Sequence, residues 1–154
     1  MGKLIKVCAF FLIFVFGIFG SSYCKALDAG ELVDNFQNAT DLQKDQIVKD
    51  NLNKEILSRG SVVNVGEYDF FDVTNDIKGI YYQVTTELQK TKNNILYQLI
   101  FLFKDRDKVK DIEKGQNIEM SGKIIRIIDE RLQISLWLFC GELTENDKAL
   151  FKQN

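Results

Sequence analysis

Alternation of apolar and polar positions dominates the second half of this chain. Over residues 132–140, Leu132, Ile134, Leu136, Leu138 and Cys140 fall on one face and Gln133, Ser135, Trp137 and Phe139 on the other. A period of two is the mark of a strand with one face on a core. Just upstream, Ile118, Met120, Gly122, Ile124 and Arg126 oppose Glu119, Ser121 and Lys123, before a switch to Ile125 and Ile127. The two segments predict a hairpin turning at Asp129-Glu130. Residues 80–89 alternate as well, with Ile80, Tyr82, Val84 and Leu88 on one face and Tyr81, Gln83, Thr85, Glu87 and Gln89 on the other. Lys90-Thr-Lys-Asn-Asn94 then reads as a turn. Residues 95–103 are almost wholly apolar, with Gln98 as the break, which predicts a central strand covered on both faces. Residues 56–65 predict a first strand, with Gly60 suggesting a bulge or sharp bend.

Helical spacing appears in three places. Thr40 followed by Gln43 is a capping box, and Leu42, Ile47, Val48 and Leu52 form an apolar stripe, so the pattern predicts a helix over 41–53. Leu32, Val33 and Phe36 suggest an earlier helical turn. Between the third and fourth strands the charged segment 104–114 holds only Val109 and Ile112 as apolar residues, a short helix stopped by Gly115. Thr144 and Asp147 hint at a terminal helical turn over 145–152. Residues 66–79, bounded by glycines, read as a loop with four acids and three aromatics, Tyr68, Phe70 and Phe71. Its acids lack the alternating ligand pattern of a calcium loop, so no metal site is expected.

The first 26 residues follow a different logic. Lys3 and Lys6 precede an unbroken apolar run of 14 residues, Val7 to Gly20, and a more polar Ser21-Ser22 segment. That is the layout of a secretory signal peptide, and the run is short for a spanning helix of about 20 residues. Small residues Cys24 and Ala26 place the cut after Ala26, with Ala29 as a second option. The remaining alternatives are lipid attachment at Cys24, disfavoured by the Ser21-Ser22-Tyr23 triplet before it, and an uncleaved anchor. The expectation is a periplasmic or secreted protein with a single domain over 27–154 and no stable membrane span after cleavage.

Composition narrows the chemistry. The chain of 154 residues has no histidine. Histidine-based zinc sites, Ser-His-Asp triads and Cys-His dyads are thereby removed from a lone chain. Paired carboxylates such as Asp69 with Asp72, or Asp129 with Glu130, are in principle an acid and a base. In loops and turns such groups are ordinarily solvated, so no catalysis is expected. Three of the 20 basic residues precede Leu27, whereas all 22 acidic ones follow it. A net acidic domain is a poor generic partner for phosphate backbones, so nucleic acid is a disfavoured ligand. After cleavage Cys140 is the sole cysteine, which forbids an intramolecular disulfide and reads as a small buried hydrophobe.

The order helix, three strands, short helix, two strands resembles the OB-fold, a five-stranded Greek-key barrel. The segment Ile112-Glu-Lys-Gly-Gln-Asn-Ile-Glu-Met-Ser-Gly-Lys-Ile124 is similar to the entry of the fourth strand in many OB proteins. The Thr40-Asp-Leu-Gln43 run resembles the helix before the barrel in small exported bacterial OB proteins of the tRNA-anti-like group. The resemblance covers residues 41–141 and implies a fold more than an activity. It implies a mainly β protein with an N-terminal helix, whose ligands bind on the face of strands two and three and in neighbouring loops. The candidate ligand-binding residues are then Tyr68, Phe70, Phe71, Tyr81, Gln83, Tyr97, Arg126 and Arg131. The implied function is a non-catalytic binding or envelope-accessory module without a cofactor. The alternatives are an oligosaccharide or single-strand nucleic-acid binder, or an oligomeric secreted subunit. Trp137 and Phe139 are expected beneath the N-terminal helix, against Leu42, Ile47 and Leu52.

Overall fold

The structure is a computed structural model that describes residues 27–72 and 77–151. Residues 1–26, where the secretory signal peptide is expected, lie outside these residues, as do positions 73–76 and 152–154 and the side chains of residues 71–78. The protein is mainly β. Its elements run α1 (Ala29–Gln37), α2 (Asp41–Asn51), β1 (Glu55–Asp72), β2 (Ile77–Thr86), β3 (Gln89–Lys90), β4 (Leu96–Phe103), a 3-10 turn (Arg106–Lys108), β5 (Asn117–Glu130), β6 (Gln133–Phe139) and α3 (Glu145–Phe151).

Five of the six strands pair in a ring of hydrogen bonds. β1 lies between β2 and β5, β5 pairs with β6, β6 with β4, and β4 returns to β2. Every pairing is antiparallel except β4 with β6, which runs parallel from Tyr97↔Ile134 to Leu102↔Phe139. The two-residue β3 hangs on the start of β4. β1 closes the ring by changing partner: Glu55–Ser61 pair with β5, and the rest of the strand pairs with β2.

Two register shifts mark where the strands bend. One lies between Val62 and Asn64, the other between Ile124 and Arg126. The extra residues are Val63 and Ile125, not Gly60, where the sequence suggests a bulge or bend. Gly60 keeps register, and a β-carbon there would stand 3.3 Å from Thr86 Cβ. Gly122 answers a close approach, since a β-carbon would stand 2.9 Å from Leu138 Cβ. The shift at Ile125 turns later residues over. Arg126, expected beside Ile124, instead faces outward opposite Trp137, while Ile127 returns inward opposite Leu136.

Two cores result. The inner one gathers Ile56, Val62, Val84, Leu99, Phe101, Ile124, Ile134, Leu136 and Leu138, with Leu32, Val33 and Phe36 of α1 packed into it. Val109, just after the 3-10 turn, is buried in this core, and Ile112 packs on it, as their spacing predicts. Gly115 then reverses the chain at φ +88°, a conformation glycine adopts without steric cost. The outer core holds Phe70, Tyr81, Ile100, Leu102, Ile125, Trp137, Phe139, Leu150 and Phe151.

Residues 66–72 and 77–79 form a ribbon, with Tyr68 opposite Tyr81 and Phe70 opposite Gly79, and not a loop. Trp137 and Phe139 are covered by this ribbon and α3, not by the N-terminal helix. No residue of α2 is buried, and Leu42 is 81% exposed. The β5–β6 turn is Arg131-Leu132, with Glu130 still paired to Gln133, so Leu132 points to solvent. Ile80 and Leu88 lie on the ribbon and on the link to β3 and are about half exposed, whereas Tyr82 and Val84 reach the inner core.

Candidate functional site

A groove of about 980 Å³ opens between α2 and α3 across the outer stretch of β5. Its apolar lining comes from Val48 of α2 and Leu52 just after it, Ile125 and Ile128 of β5, and Leu143 and Phe151 at the C-terminal end. The volume is in the range of roughly 300–1,000 Å³ typical of small-molecule sites. Local sequence explains why it stays open. The stripe on α2 is narrow, so Ile47 and Val48 touch the inner core while Leu52 remains 38% exposed. Lys44 holds the helix over the sheet through Asp129, with Nζ 2.6 Å from Oδ2, and stands 5.1 Å from the centre of the Phe36 ring. The rim is balanced in charge, with Lys44, Lys49 and Lys148 set against Asp41, Asp45 and Asp129.

The far wall of the groove is α3, which Asp147 fastens. This buried carboxylate accepts the Tyr81 hydroxyl at 2.6 Å, the Lys104 ammonium at 3.2 Å, and both the backbone N–H (2.8 Å) and hydroxyl (2.6 Å) of Thr144. Burial alone would raise its pKa, but the bonds from Thr144, Tyr81 and Lys104 outweigh that and hold it below the usual carboxylate range. The same arrangement pushes the Tyr81 phenol well above its ordinary value, through burial first and then its bond to the Asp147 carboxylate.

Behind α3 the aromatic rings interlock. Phe70 meets Tyr68 at 4.8 Å, Phe151 at 5.0 Å and Tyr81 at 5.5 Å between centroids, and Tyr68 meets Trp137 edge-on at 5.1 Å. The Arg126 guanidinium lies 5.4 Å from the centre of the Phe70 ring, and its Nη2 donates to the Leu150 carbonyl at 3.4 Å. Of the residues singled out from sequence, the fold therefore brings Tyr68, Phe70, Tyr81 and Arg126 into one cluster, with Gln83 half-buried beyond Tyr81 on the same strand. Tyr97 lies in the inner core beside α1, where its hydroxyl donates to Gln89 Oε1 at 2.7 Å. Arg131 is exposed in the β5–β6 turn, away from the cluster. The Phe71 side chain falls outside those described. Tyr81, Tyr97 and Trp137 are all at least nine-tenths buried, so these aromatics serve as packing rather than as a stacking platform.

Sequence reading passed over the residues that shape the groove. Leu52 and Val48 were visible as a stripe, but only Ile125's displacement and the return of α3 leave a gap beside them. Among the described residues no helix is long and apolar enough to cross a membrane, and no cluster of three or more metal-ligating acids or thiols occurs. Cys140 donates to the Ser121 carbonyl at 3.2 Å, and burial, with the nearby Glu55 carboxylate, pushes its thiol up to about 12. No protein-family model matches the chain, and no curated protein sequence matches it significantly.

Proposed function

We propose that this protein is an exported, non-catalytic binding module on an OB-fold frame, which takes an apolar ligand in the groove between α2 and α3. The OB-fold reading is supported by the cyclic strand order and by the single parallel pair, β4 with β6, among antiparallel neighbours. Export is supported by the basic and then apolar pattern of residues 1–26. The observation that carries the binding site is the groove itself, apolar at its floor and open between two helices. The face of the second and third ring strands is a weaker place for a ligand, because Tyr81 is covered by α3 and Tyr97 by its own neighbours.

A neutral fluorescent probe, N-phenyl-1-naphthylamine, tests the groove. Native protein is expected to bind it with saturable enhancement. Leu52→Glu, which places a charge at a partly exposed lining position, is expected to weaken that binding about tenfold or more, a change of about 1.4 kcal/mol. Absence of saturable binding, or no effect of the substitution, would overturn the groove as a ligand site. Expression of the full chain in a Gram-negative host is expected to yield periplasmic protein starting at Leu27. A product retaining Met1 in the cytoplasm would overturn export.

A further inference from the structure

The ring of strands leaves a stretch of β1 with one edge unpaired and no burial over it. β1 pairs with β5 as far as Ser61, opposite Asn117, and with β2 from Val62 onward. On the β5 side the last bonds are those of Val62, whose N–H donates to the Gln116 carbonyl and whose carbonyl accepts from the Gly115 N–H. The chain turns away at Gly115, so the line of β5 beside β1 is empty beyond that point among the described residues. Along Val63–Asp69 one edge is taken by β2, and the other has no backbone partner among the described residues. None of these residues is buried: Asn64, Glu67 and Asp69 are exposed, as is Val63 at 36%, and Val65, Gly66 and Tyr68 are half-buried. Alternate residues of such a strand aim their N–H and C=O groups at the unpaired side, which is a template for one more strand.

The side chains beside this edge say which strand it suits. Exposed edges are commonly blunted by lysine, proline or a covering element, and Val63–Asp69 contains neither residue. Its charges, Glu67 and Asp69, are both acidic, and they share a face with Ile80, the cross-strand partner of Asp69, which is 47% exposed. Tyr68 lies on the other face, half-buried against Trp137 at 5.1 Å and Phe70 at 4.8 Å between centroids. A second copy pairing across the same edge would gather the carboxylates of both chains on one face, and like charges there oppose the pairing. A basic strand meets no such opposition. We propose that the Val63–Asp69 edge of β1 receives an extended peptide segment in which basic and apolar residues alternate. Its backbone continues the sheet, end to end with β5. Its basic side chains lie beside Glu67 and Asp69, and its apolar ones beside Tyr68. No residue of this edge lines the groove, so the two sites are independent.

The probe is a short peptide of alternating lysine and valine, blocked at both ends and followed by fluorescence anisotropy through a fluorescein label. Saturable binding to the native protein is expected. The unlabelled peptide is expected to change the emission of Trp137, the only tryptophan in the chain, because Tyr68 packs against it. The same peptide N-methylated at every residue keeps its charge and side chains but has no N–H to pair, and it is expected to bind at least about tenfold more weakly. Asp69→Lys is expected to weaken binding of the first peptide by a similar factor. Glu142→Lys makes the same charge change away from the edge and is expected to bind as the native protein does. Both substitutions are at exposed positions, so both variants are expected to fold. Absence of saturable binding, or equal binding of the N-methylated peptide, would overturn strand addition. Equal weakening by the two substitutions would reduce the attraction to net charge and overturn the site. A doubled native mass in sedimentation that Asp69→Lys returns to the monomer would give the edge to a second copy and overturn the peptide. Each of these results leaves the binding of the neutral probe in the groove as it was.

Discussion

Asp147 accepts bonds from three residues while almost wholly buried, and it shows how a single side chain couples the termini of distant elements. It joins β2 through Tyr81, the segment after β4 through Lys104, and the start of α3 through Thr144. Asp147→Asn is expected to destabilise the protein by about 1–3 kcal/mol in urea titrations at pH 7, because it keeps the size but breaks the charge-assisted bonds. The pH dependence follows from the sign of the shift. A carboxyl held below its unfolded value near about 3.9 contributes stability that is present above that pH and lost as pH falls through the lower folded value. Native protein is therefore expected to lose stability progressively below about pH 4, and Asp147→Asn to show a flatter acid limb. Cys140 behaves in the opposite sense. Its thiol, raised to about 12, contributes stability present below the unfolded thiol value near about 8.5 and lost as pH rises toward the folded value. At neutral pH it stays protonated, so native protein is expected to react with a thiol reagent far more slowly than protein unfolded in urea.

The helices differ in what holds them, and this sets which of them move. α1 buries Leu32, Val33 and Phe36, and α3 buries Leu150 and Phe151. α2 buries nothing fully and leans on one ion pair whose partners are both partly exposed. Such a pair is worth about 0–1 kcal/mol. The amides of α2 are therefore expected to exchange with deuterium by local opening, well before those of β4 and β6. Protection of α2 equal to that of β4 would contradict this. α3 is short but anchors the outer core. Phe151→Ala is expected to cost about 3–5 kcal/mol and to shift Trp137 emission to the red, since Phe70, which packs on Trp137, loses its cover. At this scale much was legible from pattern alone. The capping residues announced both helices: Gln43 Oε1 accepts from the Thr40 N–H at 2.9 Å, and Asp147 accepts from the Thr144 N–H. The ribbon was not legible. Glu67, Asp69 and Asp72 give it a loop's composition, yet Tyr68 and Phe70 gain more by packing on Trp137 than the backbone loses by ordering.

Across the whole molecule the contacts are mostly non-local. β1 joins β5, far along the chain, and β4 and β6 lie parallel with a strand between them in sequence. Folding is expected to fall in the millisecond-to-second range typical of such topologies, measurable by stopped-flow Trp137 fluorescence. The alternating segments fixed their own nature: a period of two over residues 132–140, an apolar run at 96–103 broken only by Gln98, and an N-terminal leader pattern are local properties of the chain. So is the absence of histidine, which removes whole classes of chemistry wherever the residues end up. What lies next to what was settled only on folding. The outward face of β6, expected beneath the N-terminal helix, is covered instead by α3 and the β1–β2 ribbon, and Arg126 changes face because one added residue at Ile125 reverses the pleat. The groove exists for the same reason. Neither α2 nor α3 encodes a cavity, and the space between them is set by how far each packs onto a sheet that several distant segments build together.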